Sequence, residues 1–156
     1  MNILPANETH IEGMLLLLRQ VGQVHHDIRP DLFRDHAQKY DENALKEILA
    51  DPQRPIFIAE AEGKVAGYCF CVWKTIENNS VLTDRKELYI DDLCVEETCR
   101  GQGIAKALYR YVTHYAKENG CDYLTLNVWC GNDGAMRFYE NAGLTPRSIT
   151  MEMKLC

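Results

Sequence analysis

Apolar residues first recur at helical spacing near the N-terminus. Ile11, Met14, Leu15, Leu18 and Val21 fall on one face of a helix that begins near Asn7 or Thr9, where Thr9 and Glu12 are spaced as a capping box. Ahead of it, Asn2–Leu4 reads as a short edge strand ended by Pro5. Pro30 interrupts the region, and a second helix is expected from Asp41, turning Leu45, Ile48 and Leu49 inward. The pattern then changes to strands. Pro55–Glu60 and Val65–Trp73 flank Ala61-Glu62-Gly63-Lys64, a hairpin turn. Polar Glu77–Asp84 leads into a third strand, Glu87–Val95. Gly103 opens a helix with an apolar stripe of Ile104, Leu108, Tyr111, Val112 and Tyr115. It stops near Asn119, with Gly120 as a left-handed cap. Tyr123–Val128 is a strand, Asn132–Ala142 a short helix closed by Gly143, and Thr145–Leu155 a final strand or two. There the Met151/Met153 alternation predicts one buried face.

Strands 87–95 and 123–128, joined by a helix, should be parallel neighbours, whereas the earlier hairpin is antiparallel. The sheet should therefore be mixed, in an α/β (α+β mixed) fold. A chain of 156 residues suits one domain spanning 1–156, and no repeat, low-complexity tract or Pro/Gly/Ser linker divides it. With 46% hydrophobic and 26% charged residues, it has the balance of an ordinary globular protein.

Charge narrows the partners. A net charge of −6 argues against nucleic acid, whose binding rests on neutralising phosphates, and is compatible with a cationic substrate. The seven cysteines are odd in number and include no C-x-x-C pair, so neither a zinc site nor a thioredoxin-like motif is expected. Cys69 and Cys71 should share one face of their strand. No basic region precedes a long apolar run at the N-terminus, and Leu15–Leu18 is too short to span a bilayer. Reduced thiols and no export signal point to the cytoplasm, without a membrane partner.

The segment Val95-Glu96-Glu97-Thr98-Cys99-Arg100-Gly101-Gln102-Gly103-Ile104-Ala105 carries the most chemistry. A strand ends, a loop with two glycines follows, and a helix begins at once. Such a helix start has unpaired N–H groups and a positive dipole end, so a phosphate fits there. Gly101 and Gly103 let the backbone approach an anion, and Arg100 can add a charge-assisted contact. A glycine turn that merely joins strand to helix would look the same. A dinucleotide fingerprint is excluded because Lys106 stands where a third glycine is needed, and a P-loop because no Gly-Lys-Ser/Thr occurs.

Arg100–Ala105 resembles the Arg/Gln-x-x-Gly-x-Gly/Ala signature of the GNAT superfamily of N-acetyltransferases. The strand Tyr89-Ile90-Asp91-Asp92-Leu93-Cys94-Val95 is similar to the one that precedes that signature. Asn132-Asp133-Gly134-Ala135-Met136-Arg137-Phe138-Tyr139-Glu140-Asn141-Ala142-Gly143-Leu144 resembles the family's second signature helix. The resemblance covers about residues 85–145. It implies a central mixed sheet of six to seven strands flanked by about four helices. It also implies acetyl-CoA as cosubstrate and no metal. Leu93 and Val95 would offer main-chain groups to the pantetheine arm, and Arg100, Gly101, Gln102, Gly103, Ile104 and Ala105 would surround the pyrophosphate. Asn132 would hydrogen-bond the pantetheine region, and Tyr139 would act as general acid to the leaving thiolate. The two parallel strands would diverge to open the slot that acetyl-CoA enters.

Acetyl transfer to an amine makes these roles sensible. An alkylamine is protonated at neutral pH, since its pKa is about 10.4, so a base must free its lone pair. The tetrahedral intermediate carries an oxyanion that the N–H of Leu93 or Cys94 could stabilise. Tyr139 could equally be an aromatic that packs on the sheet beside Phe138. Asp91 and Asp92, adjacent on a strand, should point to opposite faces. Tyr89-Ile90-Asp91-Asp92 resembles the Tyr-x-Glu-Asp run of the spermidine/spermine acetyltransferases, which gives Asp91 the amine-facing role, directly or through water, unless it only caps a loop or pairs with a lysine. Glu87 is a second candidate base.

His25, His26, Asp27, Arg29 and Tyr40 lie between the first two helices, where the family builds its acceptor site. His26, Tyr40 and Asp92 are therefore candidate substrate contacts. Trp73 and Trp129 read as core or interface residues. Cys99 departs from the bulky or basic residue that the family commonly has there.

The expected function is acetyl transfer to a primary amine, chiefly a small cationic one such as a polyamine. A protein N-terminus or lysine is the alternative acceptor, and a non-catalytic acetyl-CoA sensor is the alternative class. The family resemblance also implies a homodimer.

Overall fold

The computed structural model describes residues 1–156. Its order is β1 (Asn2–Pro5), α1 (Ile11–Ile28), α2 (Glu42–Ala50), β2 (Ile56–Ala61), β3 (Lys64–Ile76), β4 (Arg85–Val95), α3 (Ile104–Glu118), β5 (Tyr123–Leu126) and α4 (Asp133–Asn141), with single 3-10 turns at Glu8–His10 and Glu97–Cys99.

Local chemistry sets most of these boundaries. The Asn7 side chain accepts from Thr9 N–H at 2.9 Å, and the His10 ring accepts from Asn7 N–H at 3.0 Å. The capping box thus lies at Asn7 and His10, not at Thr9 and Glu12. Helix α1 stops at Arg29, because the residue before Pro30 is barred from helical geometry. Asp41 caps α2 by accepting from Ala44 N–H at 2.8 Å. Glu62 and Gly63 both take positive φ, 52° and 72°, which is the two-residue turn that matches strand twist.

The sheet runs in the order β1-β2-β3-β4-β5. The first four strands are antiparallel, and β5 joins β4 in parallel through the α3 crossover. Strands β2 and β3 read as unbroken apolar runs because both their faces are covered. Ile58, Tyr68 and Phe70 pack with Ile11, Met14, Leu18 and Leu45 under α1 and α2. Phe57, Cys69, Cys71, Leu88 and Ile90 pack with Leu108 and Val112 under α3. Leu108 is fully buried, so Leu108→Ala should cost about 2–5 kcal/mol.

The sheet has five strands, not six or seven. Residues 145–156 form no strand, and Met151 and Met153, expected to turn one face inward, are 86% and 81% exposed. No strand pairs with the outer edge of β5, which leaves this alternating segment without the floor that its pattern requires. In α1, Leu17 is buried although it lay outside the stripe read from the sequence, while Leu15 and Val21 are only half-buried.

Candidate active site

The β4–β5 ladder ends at the pair Ile90↔Leu126. Beyond it, β4 continues to Val95 on β3 alone, and its side facing β5, which has no strand partner there, is the candidate gap. The alternation of the antiparallel ladder fixes which groups face the gap. Glu96 N–H donates to Ala66 O at 2.8 Å, so Cys94 and Asp92 carry the bonds to β3. The main-chain groups of Leu93 and Val95 point to the open side. Gln20, from α1, donates to Val95 O at 3.0 Å and accepts from Glu97 N–H at 3.1 Å. It pins the strand end to the loop that follows. No sequence signal singled it out.

That loop delivers the chain into α3. Gly101 and Gly103 have φ of 76° and 78°, a region that disfavours side chains, and a Cβ at either position would meet nothing within 4 Å. Gly103 is the N-cap and supplies no side-chain acceptor, so the first N–H groups of α3, at Ile104 and Ala105, have no capping side chain. Arg100 and Gln102 are exposed beside them. An open, uncapped helix start preceded by a free strand edge fits a diphosphate joined to an extended, amide-bearing arm. Residues 93–105 present both in sequence.

A β-bulge shapes the acidic side of the gap. The pairing shifts between Phe70 and Cys71, opposite Asp92 and Ile90, so Asp91 is the extra residue. The bulge overturns the expectation that Asp91 and Asp92 point to opposite faces. Asp91 meets Tyr40 and Asp92 meets Tyr68, and both tyrosines pack on Phe70 in the layer of α1 and α2. Asp92 accepts from the Tyr68 hydroxyl at 2.8 Å. Burial pushes its carboxyl up to about 6, despite that hydrogen bond and the charge of Lys39.

Asp91 accepts from Lys39 Nζ at 2.8 Å and from the Tyr40 hydroxyl at 3.1 Å. Burial alone would lower the Lys39 pKa, but the bond to Asp91 outweighs it and the ammonium is held above its ordinary value. Arg54 donates to the Tyr40 hydroxyl at 3.2 Å. Lys39 and Arg54 were not anticipated, because their partners lie far away in sequence.

The remaining candidates are placed differently. Tyr139 is half-buried on α4 against Phe138 and Tyr109, so it packs as an aromatic while also standing near Asp92 and Cys69. Burial first, and then Cys69 and Asp92, push its hydroxyl pKa well up, which keeps the proton on at working pH. Asn132 caps α4 by accepting from Ala135 N–H at 3.3 Å, leaving its amide N–H groups available. His26 is turned to the 33–35 loop, with Nδ1 2.8 Å from Phe33 O and Nε2 3.8 Å from Asp35.

Glu87 is buried and bonded to Arg85 at 2.7 Å and Arg147 at 2.8 Å. Burial would raise its carboxyl pKa, but the two guanidinium groups hold it below the ordinary range. A carboxylate so held cannot serve as the base. Cys94 is buried against Leu17 O, and burial pushes its thiol up to about 12; its main-chain groups are spent on the ladder with β3, so the oxyanion contact expected of Leu93 or Cys94 is left to Leu93.

Residues 21–144 match the acetyltransferase (GNAT) family, and the chain belongs to that family. Among curated proteins, an uncharacterized N-acetyltransferase of Methanocaldococcus jannaschii is 31% identical over 105 residues, covering 67% of this chain and 45% of its own. A putative ribosomal protein bS18-alanine N-acetyltransferase of Bacillus subtilis is 26% identical over 103 residues, covering 66% of this chain and 62% of its own. The chain thus spans about half to three-fifths of the length of these relatives. Among solved structures, a single-site mutant of the BH1408 protein from Bacillus halodurans superposes with a TM-score of 0.95 at 28% identity over 100% of both chains.

Proposed function

We propose that the protein is a single-domain, acetyl-CoA-dependent N-acetyltransferase whose acceptor is a primary amine on a small cationic molecule, such as a polyamine. The observation that carries this reading is the edge of β4 left open at the main-chain groups of Leu93 and the N–H of Val95, which runs directly into the uncapped start of α3. The edge accepts the pantetheine amides as an added strand would, and residues 100–105 hold the diphosphate. Family membership and the N-acetyltransferase names of the relatives support it.

The bulged carboxylates support a cationic acceptor. Asp91 already holds one ammonium group, that of Lys39, and an incoming amine would take the same oxygen. A bovine thialysine N-epsilon-acetyltransferase, 29% identical over 86 residues, is named for an amine of that class.

Chemically, the acceptor ammonium first gives up one proton to water, and the freed nitrogen attacks the thioester carbonyl, its C–N bond forming as the carbonyl becomes an oxyanion beside Leu93 N–H. The nitrogen of the adduct is far more acidic than the free ammonium, so Asp92, with a carboxyl pKa of about 6, is suited to take its proton, directly or through water. The carbon–sulfur bond then breaks, and Tyr139 donates a hydrogen bond, then a proton, to the departing sulfur. This gives Asp91 the binding role and Asp92 the proton, where the sequence suggested the reverse.

The protein is further proposed to work as a homodimer in the cytoplasm. Seven unbridged cysteines suit a reducing compartment, and no helix is long and apolar enough to cross a membrane. The test of function is release of free CoA thiol over a panel of diamines, polyamines, amino sugars and N-terminal or lysine peptides. Turnover confined to small polycations supports the reading. Turnover confined to peptides replaces the acceptor class, and tight binding of acetyl-CoA with no turnover makes the protein a sensor.

A further inference from the structure

One primary amine of the chain already stands inside the candidate site. Lys39 donates to Asp91 Oδ2 at 2.8 Å, and its charge is felt by Asp92 as well. Asp92 and Leu93, the two residues that follow Asp91, are those assigned to the proton of the adduct and to the oxyanion. The other lysine ion pair, Lys46 with Glu42, is exposed on α2 and touches nothing of the site.

The loop that carries Lys39 is held on both sides of it. Ala37 O lies against α1, where a Cβ at Gly22 would collide with it. Gln38 accepts from Arg19 Nε on α1 at 2.8 Å and donates to Tyr40 O at 2.8 Å. Tyr40 stacks on Phe70, with ring centres 5.7 Å apart. With its backbone anchored this closely, Lys39 reaches Asp91 from a fixed position. Folding does not call for that placement. The side chain is 46% exposed, and an ion pair so open adds little stability. A salt bridge that does little for the fold, set where the acceptor amine belongs, points to a chemical role.

We propose that Lys39 is a modification site of the protein's own activity: with acetyl-CoA bound and no acceptor present, its Nζ takes the acetyl group. The ammonium gives one proton to water, and the freed nitrogen attacks the thioester carbonyl. The C–N bond forms with the oxyanion beside Leu93 N–H, and Asp92 takes the second proton. The carbon–sulfur bond breaks, Tyr139 protonates the sulfur, and the proton on Asp92 returns to Tyr139 through water. The products are an acetylated lysine at position 39, free CoA thiol and one proton in solution. Amine and site belong to one chain, so the reaction is intramolecular. Burial favours the neutral amine, but Asp91 holds the ammonium, so the first proton leaves seldom and the step is slow. The acetylated side chain carries no charge. It leaves Asp91 to the Tyr40 hydroxyl and to the next ammonium that enters, and an occupied site becomes an open one. The inference rests on the acetyl transfer proposed above and is independent of which acceptor the protein uses.

The test is mass spectrometry of the full chain after incubation with acetyl-CoA and no added amine. One acetyl group per chain should appear, mapped to Lys39, at a rate independent of protein concentration. Tyr139→Phe should slow it at least about 100-fold. Direct chemical acetylation would instead spread over exposed lysines such as Lys64 and Lys117 and ignore that substitution. For the amine that the panel above selects, the acetylated chain and Lys39→Gln should share a KM about 5-fold below that of the untreated chain. Lys39→Arg keeps a cation on Asp91 and should show no fall in KM after incubation. If an added amine is turned over while Lys39 stays unmodified, or is modified no faster than Lys64 and Lys117, the inference falls and the function stands. Modification with no fall in KM overturns the opening of Asp91. Acetyl transfer to neither Lys39 nor any amine overturns both the inference and the function.

Discussion

The ammonium of Lys39 stands 2.8 Å from Oδ2 of Asp91, and the Tyr40 hydroxyl donates to the same oxygen at 3.1 Å. One carboxylate is thus occupied by an amine of the class proposed for the substrate. An acceptor must displace Lys39, and its apparent affinity falls by the fraction of time that the site is taken. Lys39→Met should therefore lower KM for a diamine by roughly 5-fold with little change in kcat. A raised KM in steady-state assays would show instead that Lys39 helps to hold the substrate.

The carboxyl of Asp92 makes a pH-dependent prediction about stability. Its folded pKa of about 6 lies above the ordinary 3.8, so the folded state holds the proton more tightly. Stability from this group is fully present below about pH 4 and is lost as the pH rises through about 6. Asp92→Asn keeps an acceptor for the Tyr68 hydroxyl and removes the charge. It should be more stable than the parent by on the order of 3 kcal/mol at about pH 8, a gain that vanishes near pH 4. Urea titrations at the two pH values measure the difference. The same variant should lose most of its turnover, and the parent's kcat/KM should decline below about pH 6.

Tyr139 is held in its neutral form chiefly by burial, with the neighbouring Cys69 and Asp92 acting in the same direction. Tyr139→Phe keeps the ring against Tyr109 and Phe138 and deletes only the donor. It should reduce kcat by about 100-fold or more while leaving the Kd for CoA nearly unchanged. Single-turnover kinetics with equilibrium binding separate the two effects. Unaltered turnover would remove the residue from the chemistry.

At Gly103 the φ of 78° costs an L-residue roughly 1–2 kcal/mol, and no steric contact adds to it. Gly103→Ala should therefore relax the N–H groups at the start of α3 and raise the Kd for CoA by about 10-fold. Isothermal titration checks this, and an unchanged Kd would mean that the diphosphate is held elsewhere.

The elements around this site were legible in the sequence wherever their cause is local. Gly101, Gly103 and the apolar spacing from Ile104 mark the loop and α3, Asp41 marks α2, and Glu62-Gly63 marks the hairpin. Features that depend on a distant partner were not legible. The bulge at Asp91 exists only relative to the register of β3, so reading β4 alone sends its two aspartates to opposite faces. Lys39 and Gln20 gain their roles from residues 52 and 75 positions away. Glu87 looks like a free base until Arg147 reaches it from 60 positions on. The alternation at 149–155 suggests a strand with one buried face, but these residues form no strand and stay exposed, because no element of the chain lies where they could pair.

A crystal structure of the protein with CoA tests most directly whether the open edge of β4 and the start of α3 together hold acetyl-CoA. The diphosphate should lie within hydrogen-bonding distance of main-chain N–H groups between Gly101 and Ala105, with the pantetheine arm alongside Leu93 and Val95 and the sulfur near Tyr139. A coenzyme bound away from residues 93–105, or a β5 that closes onto β4 beyond Ile90, would contradict the account.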